Sequence, residues 1–62
     1  MQATITITID MDNAAFGDAP NYELARILRG LSNKLAYSSE FIDRPLFDIN
    51  GNKVGKFELC QR

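Results

Sequence analysis

The segment PNYELARILRGLSNKLAY, residues 20–37, is the only stretch of this chain long enough to form a substantial helix. Its apolar residues recur at the i, i+3, i+4, i+7 spacing of an amphipathic helix. They fall within one narrow stripe: Leu24, Ile27, Leu28, Leu31 and Leu35. We therefore expect the rest of the fold to cover this stripe.

The segment before the helix alternates in polarity. Residues 2–10, QATITITID, predict a half-buried strand with isoleucines on the core face and threonines outward. In the connection that follows, Asp18 is predicted to cap the helix and Pro20 to occupy its first turn. Phe16 is expected to tuck under the start of the helix.

Residues 46–60, LFDINGNKVGKFELC, predict a β-hairpin, which an irregular connection over residues 39–45 joins to the helix. Asn50 and Gly51 form a dipeptide that accepts the positive φ angles of a tight primed turn. The apolar residues on the two sides of Gly55 differ in parity, so a regular strand cannot bury them all. Gly55 is therefore the expected place for a corrective bulge.

The predicted order is strand, helix, strand, strand, an α+β fold with one helix packed on one face of a three-stranded sheet. A right-handed crossover makes the second strand parallel to the first, and the third strand is expected in the middle, antiparallel to both. We expect a single domain, residues 1–62. The expected core is Ile5, Ile7, Ile9, Leu24, Ile27, Leu28, Leu31, Leu35, Phe47, Ile49, Val54, Phe57 and Leu59.

Length and composition narrow the class of protein. The 62 residues carry a net charge of −1, without the basic stripe of a phosphate-backbone binder or the dense carboxylates of a DNA mimic. A chain this short removes only about 60% of its unfolded surface from water, so a partner or a second copy would add support. Signal-peptide and membrane-span patterns are missing, which predicts a cytoplasmic protein.

No cofactor, metal or catalytic residue is expected. The chain has no histidine, and its single cysteine, Cys60, is interpreted as a small buried or half-buried apolar residue. The carboxylates before the helix lack the glycine and glutamate of a calcium loop. They are interpreted as capping and solvated groups: Asp10, Asp12 and Asp18.

The helix side opposite the leucines is a candidate partner-binding surface. Tyrosine and arginine dominate interface hot spots, and a glycine beside them would let another backbone approach closely. The alternative is an ordinary solvated face. We call this set the tyrosine–arginine face: Tyr22, Arg26, Arg29, Gly30, Asn33 and Tyr37.

Two other surfaces are candidates. Phe41, Ile42 and Leu46 exceed what the core needs and are a candidate association site. The alternative is that Phe41 and Ile42 close the core beneath the helix end. If the first strand lies at the edge of the sheet, its unpaired backbone could extend a partner's sheet or that of a second copy. The edge therefore predicts a homodimer.

Three segments resemble small accessory proteins encoded by phages and prophages. They are TITITIDMDNAAF at residues 4–16, ELARILRGL at 23–31 and DINGNKVGKFEL at 48–59. The segments are structural signatures without a catalytic motif. The resemblance implies a phage protein in the cytoplasm of a bacterial host, a class that includes anti-CRISPR and other anti-defence inhibitors. It transfers no specific residues.

The leading hypothesis is a non-catalytic phage inhibitor that binds a host protein, such as a CRISPR–Cas component, through the tyrosine–arginine face. One alternative is a nucleic-acid-binding accessory protein that places Arg26, Arg29 and Lys34 against phosphates. Another is a self-associating structural module with no host target.

Overall fold

The computed structural model describes residues 2–38 and 43–61. Strand β1 spans Ala3–Ile9, a short 3-10 turn spans Ala14–Phe16, and helix α1 spans Pro20–Ala36. Strand β2 spans Arg44–Phe47 and strand β3 spans Lys53–Gln61. The order β-α-β-β confirms the predicted α+β class.

The three strands form one sheet in the order β1-β3-β2. Both neighbours of β3 run antiparallel to it, so β1 and β2 are parallel to each other and β3 is central, as predicted. Strand β2 begins at Arg44, earlier than the expected residue 46. Pro45 does not prevent this, because β2 lies at an edge of the sheet, where a proline without N–H is tolerated.

The core is smaller than predicted and displaced toward β2. The helix stripe packs over β3 and β2, whereas β1 adds only the half-buried Ile9. Of the inward-facing isoleucines of β1, Ile9 packs against this core, whereas Ile5 and Ile7 lie further along the strand and remain exposed. In the described part of the chain the buried apolar residues are Phe16, Ile27, Leu31, Leu46, Val54 and Phe57.

Several residues expected in the core are exposed instead. The inner face of β1 extends beyond the helix, and Phe47 and Ile49 lie where β2 leaves the sheet for the hairpin loop. The exposed members of the predicted core are Ile5, Ile7, Leu28, Phe47 and Ile49.

The start of α1 differs from the prediction. Ala19, rather than Asp18, is the residue before the first helical turn, and no side chain caps it. The carbonyl of Ala19 accepts hydrogen bonds from the amides of Tyr22 and Glu23, at 3.1 and 3.4 Å. Asp18 is one residue too early to cap this turn. Phe16 is buried next to the helix, as predicted.

The hairpin turn is wider than the predicted two-residue primed turn. Only Gly51 has a positive φ, 84°, among the described residues, and the amide of Gly51 donates to the carbonyl of Asp48 at 3.1 Å. Asp48 then pairs with Asn52 through a 2.9 Å hydrogen bond. This is a type I turn closed by a glycine bulge, a common alternative to the primed turn.

The phase correction predicted near Gly55 is confirmed. Leu46 pairs with Gly55 but Phe47 pairs with Lys53, so Val54 is an additional residue on β3. This shift lets Val54 and Phe57 both face the core despite their different parity.

Candidate functional site

Most of the tyrosine–arginine face is accessible to a partner. Tyr22 is 73% exposed and Tyr37, immediately after α1, is 90% exposed. Arg29, Gly30 and Asn33 are also exposed, and Arg26 is half-buried. The face thus keeps its aromatic rings free of the core.

A groove of about 190 Å³ lies between α1 and β2, along one border of the tyrosine–arginine face. We call it the α1–β2 groove. It includes Arg26 and Gly30 from that face but not its other members. Its apolar lining comes from both elements, and charged side chains surround it. The lining residues are Arg26, Ile27, Gly30, Leu31, Lys34, Arg44, Pro45, Leu46, Phe47 and Asp48.

Arg26 is held by the protein itself. Its Nε and one terminal nitrogen donate to the carboxylate of Glu23 at 2.8 and 3.1 Å, and the same nitrogen reaches the Phe47 carbonyl at 3.3 Å. Glu23 is buried, and it also accepts a 2.8 Å hydrogen bond from the amide of Ile49. Arg26 therefore joins α1 to the hairpin.

A second buried carboxylate, Asp48, organises the hairpin loop. It accepts from the amides of Asn50 and Asn52 at 2.9 and 2.8 Å. The side chain of Asn13 also donates to it, at 2.6 Å. Asn13 accepts from Ala15 and begins the 3-10 turn, so Asp48 connects the hairpin to the segment before α1.

Both carboxylates have shifted acidities. The hydrogen bond from Arg26 lowers the pKa of Glu23; burial opposes this effect and the Ile49 amide adds to it. Burial acts to raise the pKa of Asp48, but the hydrogen bonds from Asn52, Asn13 and Asn50 together outweigh it, and that pKa is lowered. Glu23 in turn raises the pKa of Arg26. All three groups are therefore charged at neutral pH.

Two cations at the groove have no carboxylate partner among the described residues. Lys34 is exposed and makes no ion pair with any residue in the described ranges. Arg44 donates to the Ser38 hydroxyl at 3.1 Å, but its buried Nε has no acceptor within the described part of the chain. A buried donor without an acceptor is costly and needs an explanation.

Leu46 and the single cysteine, Cys60, both differ in burial from their predictions. Leu46 is buried in the core and so does not contribute to an exposed apolar patch, while Phe41 and Ile42 lie outside the described residues. Cys60 is exposed, contrary to the expectation of burial, because it lies on the uncovered face of β3 opposite Thr4.

The acidic connection before α1 has structural partners. Asp10 accepts from the amide of Asp12 at 3.0 Å, and Asn13 is bound to Asp48. Within residues 2–38 and 43–61, no three cysteine, aspartate or glutamate side chains converge as a metal site would require. In the same ranges, α1 is too short and too polar to cross a bilayer.

Sequence reasoning missed Glu23 and Asp48 as organising residues. An aspartate two residues before Asn50 is a known turn-forming signal, and Glu23 with Arg26 has the i, i+3 spacing of a helical ion pair. Their burial was not visible in the sequence, because it depends on the hairpin loop folding back onto the first turn of α1.

Comparison with protein-family models, with curated protein sequences and with solved structures returned no match to this chain. The fold and the geometry of the α1–β2 groove therefore carry the functional argument.

Proposed function

We propose that this protein acts without catalysis, by binding another protein at the α1–β2 groove and the adjoining tyrosine–arginine face. The observation that carries the proposal is a pair of cations that lie beside an apolar lining and lack a carboxylate partner among the described residues. Lys34 has no ion pair and Arg44 has an unpaired buried Nε among the described residues. Exposed Tyr37 and the open Gly30 lie on the same side of the helix.

The size of the groove favours a macromolecular partner. Sites for small molecules usually enclose about 300–1,000 Å³, whereas this groove has about 190 Å³. A space of this size accommodates one or two side chains that project from a larger surface. Gly30 has nothing within 4 Å of the position of a Cβ, so a partner backbone can approach α1 closely there.

The chemistry of the groove indicates what the partner presents. Arg26 is neutralised by Glu23, and Asp48 keeps its negative charge but is held by hydrogen bonds from its asparagines. Among the described residues, the cations of the lining that lack a carboxylate partner are therefore Lys34 and Arg44. These two cations complement a carboxylate, and the Leu31 and Leu46 lining complements an apolar neighbour of that carboxylate. We therefore expect an acidic and apolar segment.

The resemblance of three segments to phage proteins supports a partner from a bacterial host. On that basis we propose a cytoplasmic protein that inhibits a host protein, such as a CRISPR–Cas component or another defence protein. The acidic segment of the target would occupy the groove, and Tyr37 and Tyr22 would supply contact area beside it.

Nucleic-acid binding is a weaker candidate. One of its three proposed phosphate-binding side chains, Arg26, already pairs with Glu23. The chain as a whole has a net charge of −1. A phosphate binder would be retained on heparin and released steeply as salt rises, so we expect little retention.

The test is capture of a partner from bacterial lysate by immobilised wild-type protein and by Lys34→Glu. Lys34 is exposed, so the substitution should preserve the circular dichroism spectrum while placing a like charge against the acidic segment. We expect capture of the same partner to fall at least about tenfold, a cost of about 1.4 kcal/mol.

Lys53→Glu is the matched control, since it makes the same charge change at an exposed residue outside the groove. It should retain capture. Equal losses in the two variants would indicate a non-specific charge effect, and unchanged capture by Lys34→Glu would exclude the groove.

Self-association is a second candidate function, favoured by a different observation. Strand β1 lies at an edge of the sheet and nearly all of it is exposed. An open edge of this length is a template for pairing with another strand. We propose a homodimer on this basis, and sedimentation velocity at several concentrations tests it.

A further inference from the structure

The exposed edge strand β1 has a sequence that is complementary to itself. Between Ala3 and Ile9 it carries no charge, and the threonines and isoleucines of residues 4–8 are arranged symmetrically about Thr6. Ile5 and Ile7 flank this centre, with 41% and 43% of their surface exposed. Charges, prolines and bulges, which protect natural sheet edges from pairing, are missing within β1.

The backbone of β1 indicates which groups are unpaired. The amide of Asp10 donates to the carbonyl of Val54 at 2.7 Å, one position beyond the Ile9–Gly55 pair. In an antiparallel ladder, hydrogen-bonded and non-hydrogen-bonded positions alternate. The even-numbered residues of β1 therefore bond to β3. The N–H and C=O groups of the odd-numbered residues point outward from the edge.

We propose that two copies of this chain join by antiparallel pairing of β1 with β1, about a two-fold axis at Thr6. This inference rests on the self-association proposed above and specifies its surface and register. Ile5 of one copy lies opposite Ile7 of the other, and Ala3 lies opposite Ile9. The outward backbone groups of these odd-numbered residues bond to one another, and the sheet continues through both copies.

Both faces of the joined sheet are compatible with this register. Residues directly opposite share a face, so the isoleucines of the two copies meet on the inner face and the threonines on the outer face. On the inner face, Ile7 lies beside the core residue Phe57, so the isoleucine cluster extends the existing core. At the ends of the pairing Asp10 lies opposite Gln2, so no like charges face each other.

Other registers are less favourable. A shift by one residue on either strand would place the isoleucines of one copy opposite the threonines of the other, on both faces of the sheet. A shift by two residues keeps the faces but shortens the overlap at one end. Only the register centred on Thr6 pairs β1 along its whole length.

Engineered cysteines test the register. In a Cys60→Ser background, Thr6→Cys places two thiols opposite each other at a non-hydrogen-bonded pair, where Cα atoms are about 4.5 Å apart, within disulfide range. Thr4→Cys and Thr8→Cys are matched controls, because each lies about 13 Å from its own copy. With oxidised glutathione as oxidant, we expect covalent dimers from Thr6→Cys alone on a non-reducing gel.

Amide exchange of the wild-type protein gives an independent measurement that needs no substitution. The amides of Ile5 and Ile7 should exchange slowly in concentrated protein and rapidly in dilute protein, because only the second copy protects them. Protection of these amides with crosslinking at position 6 supports the proposal.

Two results would overturn it, and they can be told apart. A wild-type dimer without crosslinking at position 6, or with fast exchange at Ile5 and Ile7, would show self-association through another surface. A monomer at every concentration in sedimentation would remove both the register and self-association itself. The groove and its partner would be unaffected by either result.

Discussion

Gly55 lies where the backbone of β1 leaves no room for a side chain on β3. A Cβ at this position would overlap the carbonyl oxygen of Thr8 and lie 2.8 Å from the Thr8 carbonyl carbon. These atoms belong to the backbone and cannot turn aside like a flexible side chain. Gly51 has a different role, since its φ of 84° is a conformation that residues with a Cβ rarely adopt, but the space around it is open.

Replacing Gly55 with alanine should therefore destabilise the protein more than replacing Gly51. We expect Gly55→Ala to lose about 3 kcal/mol or more, at or above the upper end of overpacking costs, and Gly51→Ala to lose about 1–2 kcal/mol. Urea unfolding followed by circular dichroism measures both. Equal losses would show that β1 and β3 separate easily at this point.

At the scale of the element, α1 has two faces with opposite roles. Ile27 and Leu31 are buried against the sheet, whereas Gly30 is exposed with nothing near it. Glycine in a helix interior costs about 1 kcal/mol relative to alanine. Packing does not offset this cost, so close approach of a partner is the remaining reason for a glycine here.

Gly30→Ala should raise stability and weaken partner binding together. The gain of about 1 kcal/mol corresponds to an increase in Tm of about 4–8 °C for a domain of this size. In the capture experiment the same variant should retain less partner, because its methyl group enters the α1–β2 groove. Ser32→Ala, at an exposed position of α1 outside the groove lining, is the control and should leave capture unchanged. Higher stability with full capture would mean that the partner does not contact Gly30.

At the scale of the whole molecule, buried polar groups supplement a small core. Glu23 binds the hairpin backbone at Ile49, and Asp48 binds Asn13 in the segment before α1. The helix, the connection and the hairpin are thereby joined by charged hydrogen bonds, which are stronger than neutral ones. Removing the charge of Glu23 or of Asp48 should therefore weaken the contacts among the helix, the connection and the hairpin.

The stability of the protein should accordingly fall in acid. The pKa values of Glu23 and Asp48 are lower in the folded state than their ordinary values of 4.5 and 3.8. Below those values the unfolded chain binds more protons than the folded one, so the free energy of unfolding decreases as pH falls through the lower folded pKa values. The full contribution is present above about pH 5.

Urea unfolding between pH 7 and pH 3 measures this dependence. Glu23→Gln and Asp48→Asn should each be less stable at pH 7 and lose less stability on acidification than the wild-type protein. A wild-type profile that stays flat down to pH 3 would contradict the coupling of these carboxylates to the fold.

Local patterns in the sequence were sufficient for the elements and their order. The threonine–isoleucine alternation predicts β1, the leucine spacing predicts α1, and the change of parity around Gly55 predicts the bulge in β3, since each depends on neighbours a few residues apart. The tertiary structure alone decided how far the helix covers the sheet. In the folded chain Ile5 and Ile7 remain exposed, whereas Leu46, Glu23 and Asp48 are buried. The sequence could not show this, because burial depends on contacts between elements distant in sequence. For the same reason, the sequence identified Arg26 and Gly30 but could not show that β2 forms a groove beside them.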